Sequence, residues 1–221
     1  MIKTSLATWD SIDVEGVDSI FYCSQKDNPN WKNSDKVMYF DTGNTLNDMM
    51  EKNAEMYQWA LLNKEFDYVC RINASCYCDK KKLIEYVQGL PNENVFVGVE
   101  VTNVAKGNEK WSWGGTNFIF SKDVIQKLID NRHNFRRDIM EDMATSFIIN
   151  KLGIEYIKGI PSCSIDKNGS EWICISYIGK SISFTYFADL KNLGHAFYRC
   201  KQDADRTQDK FVMEELYKVL K

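Results

Sequence analysis

The chain has only three prolines and twelve glycines in 221 residues, too few for the Pro- or Gly-rich linkers that separate domains. It lacks a surplus of positive charge: 28 lysines and arginines against 31 aspartates and glutamates leave a net charge of −3. That excludes a broad cationic face for nucleic acid, so any phosphate must be held by a few local cations. A small phosphorylated ligand fits this balance. Paired C-x-x-C spacing is also missing. The seven cysteines, Cys23, Cys70, Cys76, Cys78, Cys163, Cys174 and Cys200, are odd in number and scattered, which reads as reduced, half-buried filler rather than a zinc or redox motif. No run approaches the roughly 18 apolar residues that cross a bilayer. The opening MIKTSLATWD has no apolar stretch of signal-peptide length. The expectation is a cytosolic protein without disulfides, in which the sequons Asn73-Ala74-Ser75 and Asn168-Gly169-Ser170 are not glycosylated.

What is present is an ordinary globular mixture, 44% hydrophobic and 27% charged, long enough for a sizeable core. We expect one domain over residues 1–221. Val17 to Cys23 and Val37 to Phe40 read as short buried strands, and Phe66 to Ile72 as a central one. Apolar residues at helical spacing predict a helix from Thr45 to Asn63, and others from Lys80 to Gln88, Ser121 to Asn131 and Asp138 to Leu152. Ser121 is the expected N-cap of the third and Gly153 the C-terminal stop of the fourth. Val95 to Val101, Asn117 to Phe120 and Ile154 to Ile160 read as strands, and Asn103 to Trp111 as a polar loop. The tail has short strands at Trp172 to Tyr177 and Ser183 to Tyr186, then an amphipathic helix from about Thr207 to Leu220. This order predicts an α/β fold, a Rossmann-like mixed sheet flanked by helices on both faces. Ligands in such sheets bind at the carboxyl ends of strands.

That rule points to the turn after FDYVCRI, where Arg71 is followed by Asn73-Ala74-Ser75. The turn either opens a ligand crevice or simply leads into the next helix. The strand and turn resemble a segment of the Fringe and β1,3-galactosyltransferase-like glycosyltransferases of the GT-A type, in which such a strand runs into an acidic D-x-D triplet. WSWGGTNFIFSKDVIQKL, from Trp111, resembles the family's segment shaping the sugar pocket. Glu141-Asp142-Met143 with Leu152-Gly153-Ile154 resembles its "EDV…lGi" block, and Thr8-Trp9 is a weaker fourth match. The likeness spans residues 8–160. The later run His195 to Lys201 with Arg206 is similar to an ending found in bacterial and large-DNA-virus members, which would place a viral protein in the host cytoplasm.

The resemblance implies transfer of a hexose-type sugar from a nucleoside-diphosphate sugar, UDP-linked by that likeness, to a glycan hydroxyl. It makes Asp142 the general base of an inverting reaction, with Glu141 as competitor; both alternatively form an acidic first helical turn. Trp111 and Trp113 would stack on a sugar or pack in the core. Gly114 and Gly115 would let backbone approach the ligand. Arg71, Asn73, Ser75, Arg199, Lys201 and Arg206 would hold the donor, Arg199 and Lys201 facing one side of an extended segment. The family's Mn²⁺ or Mg²⁺ is in question, since Asn73-Ala74-Ser75 has no carboxylate and hard cations favour anionic oxygen. Asp79 and His195 are candidate ligands; Asp79 equally suits an N-cap, and His195 core packing. Only Ile2 to Ala7 precede Thr8, either as the family's first strand or as a trimmed start. Other readings are a sugar-nucleotide hydrolase or nucleotidyltransferase, or a carbohydrate- or nucleotide-sugar-binding module without catalysis.

Overall fold

Alternating large apolar residues build the central sheet. The computed structural model describes residues 1–26, 30, 32–45, 48–103, 109–113, 117–159, 162–168, 171–176, 182–202 and 206–221. Strands β3 (Tyr68–Ile72), β7 (Asn117–Ser121), β5 (Phe96–Asn103) and β6 (Glu109–Trp113) lie side by side in that order, and β8 (Tyr156–Lys158) also pairs with β5. Phe96 sits opposite Phe120, and Val97 opposite Ile119. Because successive side chains point to opposite faces, Phe96, Phe118 and Phe120 enter one core and Val95, Val97 and Ile119 another.

The first core lies under three helices. Tyr57 comes from α2 (Met49–Asn63), Val124, Ile125 and Leu128 from α4 (Lys122–Asp130), and Ile148 and Ile149 from α5 (Glu141–Lys151). The ring of Phe96 stacks on Phe120 at 5.2 Å and meets Tyr156 edge-on at 4.9 Å, geometries that aromatic quadrupoles favour. The second core joins Leu83 of α3 (Lys80–Val87), a second sheet, and Val212, Met213 and Leu216 of α6 (Arg206–Leu220). That sheet runs β11 (Ile182–Phe184), β10 (Glu171–Ser176), β9 (Ser162–Asn168), β12 (Phe197–Arg199), β4 (Cys76–Cys78). Strands β1 (Phe21–Ser24) and β2 (Val37–Phe40) form a separate parallel pair.

The mixed α/β class is as expected, but the described strands form three sheets rather than one, and most neighbours run antiparallel. Short links account for pairs such as β9–β10 and β5–β6, since a parallel neighbour needs a crossover of a dozen or more residues. Several local readings change; the expected Val17–Cys23 strand is Phe21–Ser24 and the Thr45–Asn63 helix begins at Met49. Ile2–Ala7 is a helix, α1, not a strand; the hydroxyl of Ser5 donates to the sulfur of Met213, tying it to α6. The expected loop through Trp111 is strand from Glu109 onward, with residues 104–108 outside the described set. Ser121 stands at the N-cap of α4 without bonding its free amides. Its Oγ instead accepts from the Val95 amide at 3.0 Å and donates to Asp123 at 2.5 Å. Gly153 does close α5, at φ +66°, the left-handed geometry glycine adopts without Cβ strain. Among the described residues no helix is long and apolar enough to cross a membrane.

Candidate functional site

The β3 strand ends in a turn assembled by its own side chains. Asn73 Oδ1 accepts from the Ser75 amide at 3.1 Å and from the Ser75 hydroxyl at 2.9 Å, the Asx geometry that lets a short polar side chain stand in for backbone. The Cys76 amide donates to the Asn73 carbonyl at 2.9 Å, and that of Cys200 to the Ser75 carbonyl at 2.7 Å. This last bond continues the β4–β12 ladder, in which Arg199 pairs with Cys76. The C-terminal basic run is thereby brought onto the β3 turn.

Arg206, at the start of α6, completes the cluster. Its Nη1 donates to Ser75 Oγ at 3.3 Å and to Asp209 Oδ2 at 2.6 Å. Asp209 is fully buried and takes the Gln202 amide on its other oxygen at 2.7 Å. The guanidinium is thus aimed by a carboxylate from behind while its side chain stays 52% exposed. Arg199 is half-buried, and Lys201 is exposed past the end of β12. Asn73, Ser75, Arg199 and Arg206 therefore come together around one turn.

Arg71 plays a different part. Its side chain is 4% exposed, and its Nη2 meets Glu141 Oε2 at 3.1 Å, with the guanidinium 5.9 Å from the centre of the Phe118 ring. Glu141 Oε1 accepts from Asn53 Nδ2 at 2.9 Å, and Asn53 Oδ1 from the Tyr22 hydroxyl at 2.7 Å. One buried network thus links β1, α2, β3 and α5. Burial pushes the Glu141 carboxyl above its ordinary value; Arg71 opposes the rise, and the neighbouring Asp142 adds to it. The charge of Arg71 is matched within the protein, and Glu141 is a partner for that charge.

Asp142 is 8% exposed in the first turn of α5. Its Oδ1 accepts from the Met143 amide at 2.9 Å. Its carbonyl accepts from Ser146 Oγ at 2.7 Å, and Ser146 Oγ accepts from the Ser112 amide at 2.8 Å. The helix carrying Asp142 is so fastened to the strand carrying Trp111, which is half-buried, and Trp113, whose backbone pairs with Val99. Gly114 and Gly115 lie outside the described residues.

The turn does not fit a hard divalent cation. It has no carboxylate, the Asn73 oxygen is spent on Ser75, and a guanidinium stands beside the Ser75 hydroxyl. Asp79 is the α3 N-cap, its Oδ1 accepting from the Lys81 and Lys82 amides at 3.1 Å each. His195 lies away from this cluster in its bonding: its Nδ1 is 3.1 Å from the Leu193 carbonyl and its ring stacks on Tyr198 at 5.8 Å. Burial lowers its pKa, against a raising contribution from the Leu193 bond.

Sequence reasoning missed Tyr22, Asn53, Asp209 and Gln202. Asn53 carried a signal, since with Lys52 it interrupts the apolar face of α2 between Met50 and Tyr57, and both are buried. A polar side chain on a core-facing stripe needs a partner. No protein-family model matches the chain, and no curated protein matches it.

Proposed function

We propose that the protein is a GT-A-type glycosyltransferase that moves a sugar from a nucleoside-diphosphate donor to a glycan hydroxyl, with arginine and lysine in place of a divalent metal. The observation that carries this reading is the convergence of Arg206 and the β12 end carrying Arg199 on the Asn73–Ser75 turn. An exposed guanidinium, pre-aimed by buried Asp209, offers charge-assisted bonds to phosphate. In the reaction the acceptor oxygen bonds to the anomeric carbon as the carbon–oxygen bond to the β-phosphate breaks. Asp142 takes the hydroxyl proton, and the electron pair leaves on the diphosphate. Arg206, Arg199 and Lys201 meet the negative charge growing there, where loss of one preorganised donor costs about 10²–10³ in kcat. Trp111, fastened near Asp142 through Ser112 and Ser146, supplies an apolar ring for a sugar face.

The experiment measures nucleotide release from a panel of nucleoside-diphosphate sugars, with and without glycan acceptors, in Mn²⁺, Mg²⁺ or EDTA. The expected outcome is acceptor-dependent release that persists in EDTA and is abolished by Asp142→Asn, which keeps nucleotide binding. Release independent of acceptor would make it a hydrolase. Binding of donor without any release would make it a binding module.

A further inference from the structure

Two thiols and an imidazole meet on the second sheet, outside the site described above. Cys163 on β9 and Cys174 on β10 are buried and lie diagonally across the antiparallel ladder, Cys174 pairing with Ile165 and Cys163 with Ser176. They share a face because Cys163 and Ile165 are two apart on one strand. His195 enters from the loop before β12, and one ligand atom from each of the three lies within 4.8 Å of the others. We propose that Cys163, Cys174 and His195 form a zinc site.

Three features of the cluster point to this ion. Thiolate sulfur and imidazole nitrogen are the donor set that selects zinc over magnesium or calcium. Tetrahedral zinc with Zn–S bonds of about 2.3 Å holds its sulfurs about 3.8 Å apart, so ligand atoms that already lie within 4.8 Å of one another need contract by at most about 1 Å. The Nδ1 of His195 donates to the Leu193 carbonyl at 3.1 Å, which leaves the lone pair on Nε2 and supplies the backbone anchor usual behind metal-bound histidine. Charge decides between soft ions: two thiolates neutralise Zn²⁺, so the assembled centre is uncharged among the apolar residues of the second core, whereas Cu⁺ would leave a net negative charge there. Binding forms two Zn–S bonds and one Zn–N bond and releases the two thiol protons to solvent.

The test loads the full chain, reduced, with Zn²⁺, removes excess metal by gel filtration and counts zinc by mass spectrometry. One equivalent per chain is expected, falling well below half in Cys163→Ser and in His195→Gln, and unchanged in Cys23→Ser. Co²⁺ in place of zinc should give thiolate-to-cobalt absorption in the wild type that Cys174→Ser loses. Circular dichroism confirms that each variant is folded, and Cys163→Ala serves if the serine variant is not. A wild type that retains no zinc, variants that retain as much as it does, or thiol counting that finds Cys163 and Cys174 joined as a disulfide after loading would each overturn the proposal. The outcome is independent of sugar transfer.

Discussion

Replacing Arg71 by Met removes a charge and keeps most of the volume, so it tests what the guanidinium does for Glu141. With the Arg71 and Glu141 side chains 4% and 11% exposed, the orphaned carboxylate has little access to water. Breaking a buried pair from one side costs about 3–5 kcal/mol. Protonation relieves part of that cost, so losing Arg71 drives the Glu141 carboxyl further up. Burial already holds it above its ordinary value of 4.5, and the variant carries that trend further. A carboxyl raised in the fold binds a proton that the unfolded chain has lost. Its contribution is therefore fully present below 4.5 and is lost as pH rises through the folded value. For a chain this long, 1 kcal/mol moves the melting temperature by about 2–4 °C, so R71M should melt about 6–20 °C below wild type at pH 8. The gap should shrink steadily on acidification to pH 5. Arg71→Met with Glu141→Leu should recover most of the loss even at pH 8, since a well-packed apolar pair is often as stable as the ions it replaces. Melting followed by circular dichroism across this pH range is the measurement. A gap equal at pH 5 and pH 8 would refute the argument, because a loss of packing has no proton to take up.

Three other substitutions check separate parts of the fold. Asp79→Ala removes the side chain that accepts the Lys81 and Lys82 amides and should cost about 1 kcal/mol, read in urea unfolding; an unchanged midpoint would mean that α3 is not capped there. Gly98→Ala places a Cβ 2.0 Å from Ser112 Oγ and 3.0 Å from its Cβ, an overpacking worth about 1–3 kcal/mol that Ser112→Gly should largely relieve. If the double variant is no more stable than G98A, β5 and β6 do not meet as described. Lys80→Met strands Asp10, which is bonded by the ammonium at 2.8 Å and, among the described residues, has its other ion pair with Lys36 at 3.8 Å; a loss of about 3–5 kcal/mol is expected in the same unfolding assay, and a loss under 1 kcal/mol contradicts the burial of this pair.

The elements legible in the sequence are those whose burial is written into local periodicity. Val124, Ile125 and Leu128 share one helix face and are buried together, and the β3 run needed only its apolar residues to be recognised. Strand β4 directly follows the Asn73–Ser75 turn and carries no strand signal of its own. It has three residues, and its strand character comes from β12, far along the chain, through pairs such as Tyr77 with Tyr198. Strand β9 was missed for a similar reason: SCSIDKN has few apolar residues, and it is held by β10 on one side and β12 on the other. The candidate site divides in the same way. That Arg206 and Arg199 belong with the β3 turn followed from the family resemblance, not from any local pattern. That Arg71 is spent on Glu141 did not, because nothing local to either residue says which cation a buried carboxylate will meet.

The arrangement around Ser75 constrains how a diphosphate could be stabilised there. A divalent ion brings two positive charges, whereas Arg206 brings one and shares it with Asp209 at 2.6 Å. Counted as a pair, Arg206 and Asp209 are neutral, so they contribute directed N–H bonds more than net charge. Guanidinium has five N–H donors, and those not bonded to Asp209 or Ser75 remain for a ligand on the exposed side. Fixing the fork in advance lowers the entropy lost when phosphate binds, which suits a site that must tighten as charge builds on the leaving group. In the proposed transfer the net charge would then come from Arg199 and Lys201, the second of which is exposed to solvent and screened by salt. The division follows from where each residue is held: in the proposed transfer Arg206, fixed by a buried acid, would set direction, while the cations at the strand end would supply charge.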